Sequence, residues 1–305
     1  MKKIRHGTLR FGGLAVFLAL AFGPASGDET YREYFPRTEI DPTKGVMGDT
    51  QYSGTIEYWK DEVALQRYIH WVGDSRNQWK LNWKFMDMEK DDLHMGHLFL
   101  DKGEALVREL VRQHAEFARC LGNEQGELKG AAARHPQYDE KLGRIMTVES
   151  RVEYCAKTFA GRDIGQGTPD NNAITMYVKS LSNGIPLQVD LQSKPIMTAY
   201  SRGERLYHAR VGQLNHACAS CHSPRGLMGH MLRGETPTTP FGDAAHYPNY
   251  RIQRGEIESL QQRFSICQRQ ASTFPLSPGD PAYLDLEIFL SVLSNGYPIT
   301  VPTSR

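Results

Sequence analysis

The chain has 305 residues and a near balance of charge, 36 lysines and arginines against 35 aspartates and glutamates. That balance gives no whole-chain electrostatic basis for binding nucleic acid or an anionic membrane. The length allows a sizeable core and two domains of ordinary size.

Lys2, Lys3, Arg5 and Arg10 precede an apolar, small-residue run from Phe11 to Gly23. This run is too short to span a bilayer and suits the core of a secretory signal. Ala25, Ser26 and Gly27 stand where a peptidase would cut, so residues 1–27 read as a signal peptide and the mature chain starts near Asp28. A retained anchor is the alternative. No second long apolar run follows, so the mature protein is expected to lack a membrane span and to reside in the periplasm, where disulfides persist.

Residues 28–105 are the more irregular part of a first domain, expected over 28–190. Trp59, Trp71, Trp79 and Trp83 lie there, interleaved with charge, and read as core under loops or as a docking face. His94 and His97 offer a pair of metal donors, although an incidental polar turn explains them as well.

Beyond this region the sequence repeats at an offset of 112. Pro136 and Tyr138 fall on Pro248 and Tyr250, Gly143 on Gly255, Arg151 on Arg263, Cys155 on Cys267, Ser182-Asn-Gly184 on Ser294-Asn-Gly296, and Pro186 on Pro298. Ala173 to Leu187 and Asp285 to Ile299 both read as an apolar helix closed by glycine and then proline. The expected fold is therefore mainly α, with two tandem copies of one small helical domain related by internal duplication, the second over 191–305 and, through the Cys218-Ala-Ser-Cys221-His222 motif it contains, cytochrome c-like.

Cys218-Ala-Ser-Cys221-His222 in the second domain is the arrangement of c-type haem attachment. Two thiols one short turn apart can add to the two vinyl groups of a haem c, and the histidine that follows is carried under the iron. A zinc half-site would want a second ligand pair at comparable spacing, and a thioredoxin-like pair a βαβ context; neither is present. The first domain has no such motif and has lost its haem on this reading. It offers Cys120, in the corresponding region, and Cys155, at the equivalent of Cys267. The two are expected to meet as a disulfide across the vacated site, or else to stand as free thiols.

Methionine is the usual second ligand in electron carriers, but Met228 and Met231 lie too few residues past His222 to fold over the other face, and no methionine follows. His230, His246 and Cys267 remain. Leu260, Phe264 and Cys267 share one helical face, and a thiolate is a recognised haem ligand; a buried structural cysteine is the competing reading. Arg263 is one turn before Cys267, where a guanidinium favours thiolate and offers a fork of donors to an oxyanion.

Gly130, Arg144-Ile-Met-Thr-Val-Glu-Ser-Arg151 with Cys155, the haem turn, and Arg263-Phe-Ser-Ile-Cys267 together resemble SoxA, the haem-bearing subunit of the SoxAX cytochrome, in its single-haem form. The resemblance implies that Cys267 is both iron ligand and catalytic cysteine, a candidate persulfide, with Arg263 placing the anionic substrate. It further implies that thiosulfate is joined oxidatively to a cysteine of a SoxYZ carrier, that electrons leave through the haem to a cytochrome c acceptor, and that a small SoxX cytochrome is the partner subunit. A plain electron-transfer cytochrome and a thiosulfate dehydrogenase forming tetrathionate are the alternative functions.

Overall fold

The computed structural model describes residues 95–222, 237, 240 and 242–304. The proposed signal peptide, the four tryptophans, His94, Met228, His230 and Met231 lie outside these residues.

Among the described residues two stretches 112 positions apart fold into the same series of elements. A short 3₁₀ turn at Ala131–Arg134 leads to an antiparallel pair, β1 (Gln137–Asp139) and β2 (Arg144–Met146), then to α3 (Val148–Ala160) and α4 (Pro169–Ser180). The second series is a 3₁₀ turn at Asp243–His246, β3 (Asn249–Arg251), β4 (Glu256–Glu258), α7 (Leu260–Gln270) and α8 (Pro281–Leu293). The strand registers match, Tyr138 facing Ile145 and Tyr250 facing Ile257. A final strand, β5 (Thr303–Ser304), runs parallel to β3. Ahead of these series come α1 (Gly96–Gln113) and α2 (Ala115–Leu121), and α5 (Lys194–His208) and α6 (Cys218–Cys221).

Local chemistry sets these boundaries. Thr147 and Ser259 cap α3 and α7 reciprocally: Ser150 and Gln262 donate their backbone N–H to the cap hydroxyls and accept the cap N–H on their side chains. Thr168 and Asp280 cap α4 and α8 just before Pro169 and Pro281. Proline at a first helical position gives up no hydrogen bond. Both helices thus begin four residues before the expected Ala173 and Asp285, and each ends three to four residues ahead of its closing glycine, Gly184 or Gly296. The irregular stretch expected to reach residue 105 also gives way to a helix at Gly96.

The two halves are built on tight helix pairs. Gly103 of α1 lies against the Ala173 carbonyl of α4, and Gly203 of α5 against the Asp285 carbonyl of α8. A Cβ at either glycine would stand 2.0 Å from that oxygen. Arg202 fixes the second crossing with paired bonds of 2.7 and 2.6 Å to the Asp285 carboxylate.

After α4 and α8 the chain segments cross each other antiparallel at Pro186 and Pro298. Gly184 donates to the Ile299 carbonyl and Gly296 to that of Leu187; Leu187 donates to Tyr297 and Ile299 to Ile185. Asn183 brackets Val301 with bonds of 2.6 and 2.9 Å, and Asn295 brackets Val189 with bonds of 3.0 and 2.7 Å. Each bond has its counterpart 112 residues away, so the halves meet as equals about a local two-fold. Phe117, Ile174, Ile196, Phe289 and Ile299 belong to one core that runs through both halves.

That core holds ionisable groups. Glu149, Lys179 and Glu287 are all buried, Lys179 donating to the Ala244 carbonyl at 3.1 Å and Gln261 to Glu287 at 2.6 Å. Burial, reinforced by Glu149, pushes the Glu287 carboxyl up to about 8. Burial lowers Lys179, against the pull of Glu149 and Glu287.

Candidate haem and sulfur site

Cys218 and Cys221 open and close the single turn of α6, and the His222 N–H donates to the Cys218 carbonyl at 2.9 Å, completing the turn. Ser220 accepts the Ala217 N–H at 3.0 Å and so fixes the start of the turn. The buried Tyr207 of α5 donates its hydroxyl to the His222 carbonyl at 3.1 Å, and its ring lies 5.0 Å from that of Phe289. The tight α5–α8 crossing therefore reaches the attachment turn through one side chain.

Cys267 joins this group. Burial, then the charge of Cys267, then Cys221 push the free Cys218 thiol up to about 12. Burial raises Tyr207 in the same way, with Cys218, Asp243, Cys221 and Cys267 contributing. Cys267 of α7 thus lies within electrostatic reach of both Tyr207 and Cys218. His246 takes its largest charge effect from Lys179, in the interior between the halves. His97 sits in the first turn of α1, and no group of three or more metal-binding side chains occurs among the described residues.

Helix α7 carries Leu260, Phe264 and Cys267 as expected, with Arg263 half-buried on it. Tyr283 lies beneath: its ring meets Phe264 edge-on at 5.6 Å, and its hydroxyl donates to Gln268 at 2.6 Å and accepts the Leu276 N–H at 3.0 Å. Ser265 donates to the Leu276 carbonyl at 2.8 Å. The loop after α7 is thereby tied to the residues either side of Cys267.

The first half is arranged differently at the same positions. Cys120 and Cys155 are joined, with Cα atoms 5.7 Å apart. Beside the disulfide lies a cavity of about 730 Å³ whose lining includes Arg119, Lys129, Arg134, Asp139, Glu140 and Arg151. Arg151 is paired with Asp139 at 2.6 Å. The equivalent of Asp139 is Arg251, which pairs with Glu258 at 3.7 Å.

Sequence reasoning missed Tyr207, Tyr283, Gln268 and Ser265. A signal for three of them existed, since Tyr283, Gln268 and Ser265 replace Asn171, Ala156 and Glu153 at the constant offset. Tyr207 has no such signal, because α1 and α5 do not share that spacing.

The residues fit a haem: two thiols one turn apart, a histidine directly after them, and a third sulfur in the same environment. The SoxA/TsdA cytochrome c domain family matches residues 103–187 and 202–299. The L-cysteine S-thiosulfotransferase subunit SoxA of Chlorobaculum thiosulfatiphilum is 30% identical over the whole of both chains. The chain belongs to the SoxA family. The SoxA subunit of Chlorobaculum tepidum is 28% identical, again over both full lengths. The crystal structure of SoxXA from P. pantotrophus shares the fold, with a TM-score of 0.59 at 23% identity, covering 72% of this chain and 82% of that one. The SoxA fold here is the mainly helical cytochrome c domain fold, which implies haem c. No helix among the described residues is long and apolar enough to cross a membrane.

Proposed function

We propose that the chain is the haem-bearing subunit of a periplasmic L-cysteine S-thiosulfotransferase of the SoxAX type. The observation that carries this reading is the Cys218–Cys221–His222 turn braced by Tyr207, with Cys267 of α7 within electrostatic reach of it. The curated relatives that span the full chain carry the same activity in their names.

In this reading Cys218 and Cys221 would hold one haem c covalently, with His222 and Cys267 as the candidate iron ligands. Arg263, one helical turn before Cys267, places thiosulfate through a charge-assisted fork of donors. The reaction joins the outer sulfur of thiosulfate to a cysteine of a SoxYZ-like carrier, releasing one proton and two electrons for each S-thiosulfonate formed. The haem supplies the outlet for those electrons toward a cytochrome c acceptor. Cys267, a persulfide candidate, is the protein sulfur at which the chemistry takes place, and the loop tied down by Tyr283, Ser265 and Gln268 limits its movement. A small SoxX-like cytochrome completes the enzyme.

The two halves are read as one duplicated domain. The first has lost its haem, and Cys120 and Cys155 close the place where it stood. The repeated elements, the reciprocal bonds at Pro186 and Pro298 and the disulfide support this. A single haem per chain follows, and haem-to-protein stoichiometry measures it. Cys267→Ala in a carrier-conjugation assay tests the reaction: conjugation is expected to fall to background with the haem still covalently attached. Full activity in that variant would overturn the assignment.

A further inference from the structure

Although the whole chain is balanced in charge, the two stretches that frame the site are not. From Arg205 to His222, and again from Ser259 to Gly279, there is no aspartate or glutamate. Arg205, Arg210 and Arg269 are exposed within them. The same stretches expose Leu206, Val211, Leu214 and, at 86% of its surface, Phe274.

The fold makes these stretches one surface. Val211 and His216 pair antiparallel to form a tight loop, and Arg210 braces it by donating to the Asn215 carbonyl at 3.1 Å. The Gln213 N–H donates to the Ser272 carbonyl at 3.1 Å. At Gly212, with φ +70°, a Cβ would stand 2.1 Å from the Thr273 hydroxyl, so the loop after α5 and the loop after α7 are in direct contact. His216 is two residues from Cys218 and Arg269 two from Cys267, so this basic and apolar surface borders the reactive sulfur.

We propose that this surface docks the protein that presents the accepting cysteine, through an acidic patch carrying a few apolar side chains. The proposal rests on the reaction assigned above and specifies where its protein substrate binds. Forming a sulfur–sulfur bond requires that the acceptor come into contact with the rim around Cys267, whereas electron transfer tolerates a gap. Separate apolar residues set among arginines suit a steered, transient contact. A permanent subunit interface is larger and more continuously apolar.

The test uses the assembled enzyme with its small cytochrome subunit, carrying Arg210→Glu with Arg269→Glu, and separately Phe274→Ser. Carrier conjugation is measured across carrier concentration at low and high salt. The charge-reversed enzyme is expected to show a KM for carrier raised about tenfold at low salt. That difference should shrink once salt screens the surface, and kcat should recover at saturating carrier. Phe274→Ser is expected to raise KM at both salt concentrations.

An unchanged KM and salt dependence would overturn the proposal, as would loss of the small subunit on size exclusion or a raised KM for the cytochrome acceptor alone. Cys267→Ala run alongside separates the two readings. If it is inactive at every carrier concentration while the surface variants behave as wild type, the reaction stands and the docking surface falls. If it is active, the reaction itself is misassigned.

Discussion

Substituting Gly203 by alanine sets two effects of opposite sign against each other at the helix crossing that supports the haem turn. Alanine is the better helix former, by about 1 kcal/mol in a helix interior. Its Cβ, however, would lie 2.0 Å from the Asp285 carbonyl oxygen, 2.6 Å from the carbonyl carbon and 2.8 Å from the Phe289 Cβ. Ordinary contact begins near 3.5 Å, so α5 and α8 must part by about 1 Å or more. Neither neighbour is the free end of a flexible side chain, and Arg202 holds the crossing through Asp285. Overpacking of this kind costs about 1–3 kcal/mol and occasionally more, so the steric effect wins. Two backbone atoms within 2.6 Å put the cost at the upper end, about 3 kcal/mol, which less the propensity gain leaves a net loss of about 2 kcal/mol and a fall in Tm of about 4–8 °C. Scanning calorimetry of the haem-loaded protein reads it, with Gly165→Ala as a control, where the nearest atom lies at 3.8 Å. A Tm for Gly203→Ala equal to or above wild type would refute the close crossing.

Three further outcomes follow from the same structure. The Cys120–Cys155 bond closes a loop with a sequence separation of 35. Replacing both cysteines by alanine is expected to cost about 3–4 kcal/mol in the chain-entropy picture, seen as a lower denaturant midpoint with the haem content unchanged. His135 and His208 are held neutral by burial at about 4, and His246 at about 3. Their folded values lie below the unfolded one, so the stability they contribute is present above about pH 6.5 and is lost as pH falls toward 4 and 3. Glu287 has the opposite sign. Its folded value of about 8 exceeds the model-peptide value, so its contribution is full at low pH and is lost as pH rises through 8. Wild type is therefore expected to lose stability between about pH 6.5 and 8, and Glu287→Gln to flatten that slope. Because the charges of Glu149 and Lys179 also act on Glu287, the readout is the difference between the two proteins, and an identical slope in both would contradict the assignment.

The offset of 112 made much of this fold readable in advance, because β1, β2, α3 and α4 and their partners β3, β4, α7 and α8 keep the spacing without a gap. The α1–α4 and α5–α8 crossings were hidden for the same reason. Gly103 and Gly203 are 100 positions apart and fall off the register. A glycine's role in close packing depends on what approaches it, which a pattern of apolar residues does not record. Apolar periodicity alone places the helix starts at Ala173 and Asp285, whereas the caps Thr168 and Asp280 set them at Pro169 and Pro281.

In the site, Cys218, Cys221 and His222 were legible because their chemistry requires adjacency in sequence. Cys267 was a candidate because it repeats Cys155. Tyr207 joins the attachment turn through a hydroxyl and a backbone carbonyl 15 positions apart. Contacts of that kind leave no mark on spacing. The acid-free stretches around the site were present in the sequence but took on meaning only once the Gln213–Ser272 bond placed them side by side.

The most direct test of the central claim, that Cys267 is the reacting sulfur, is peptide mass spectrometry of the purified protein before and after thiosulfate with an oxidised cytochrome acceptor. The account predicts added sulfur on the peptide bearing Cys267, changing with turnover. A Cys267 that stays unmodified while the carrier is conjugated at full rate would contradict it.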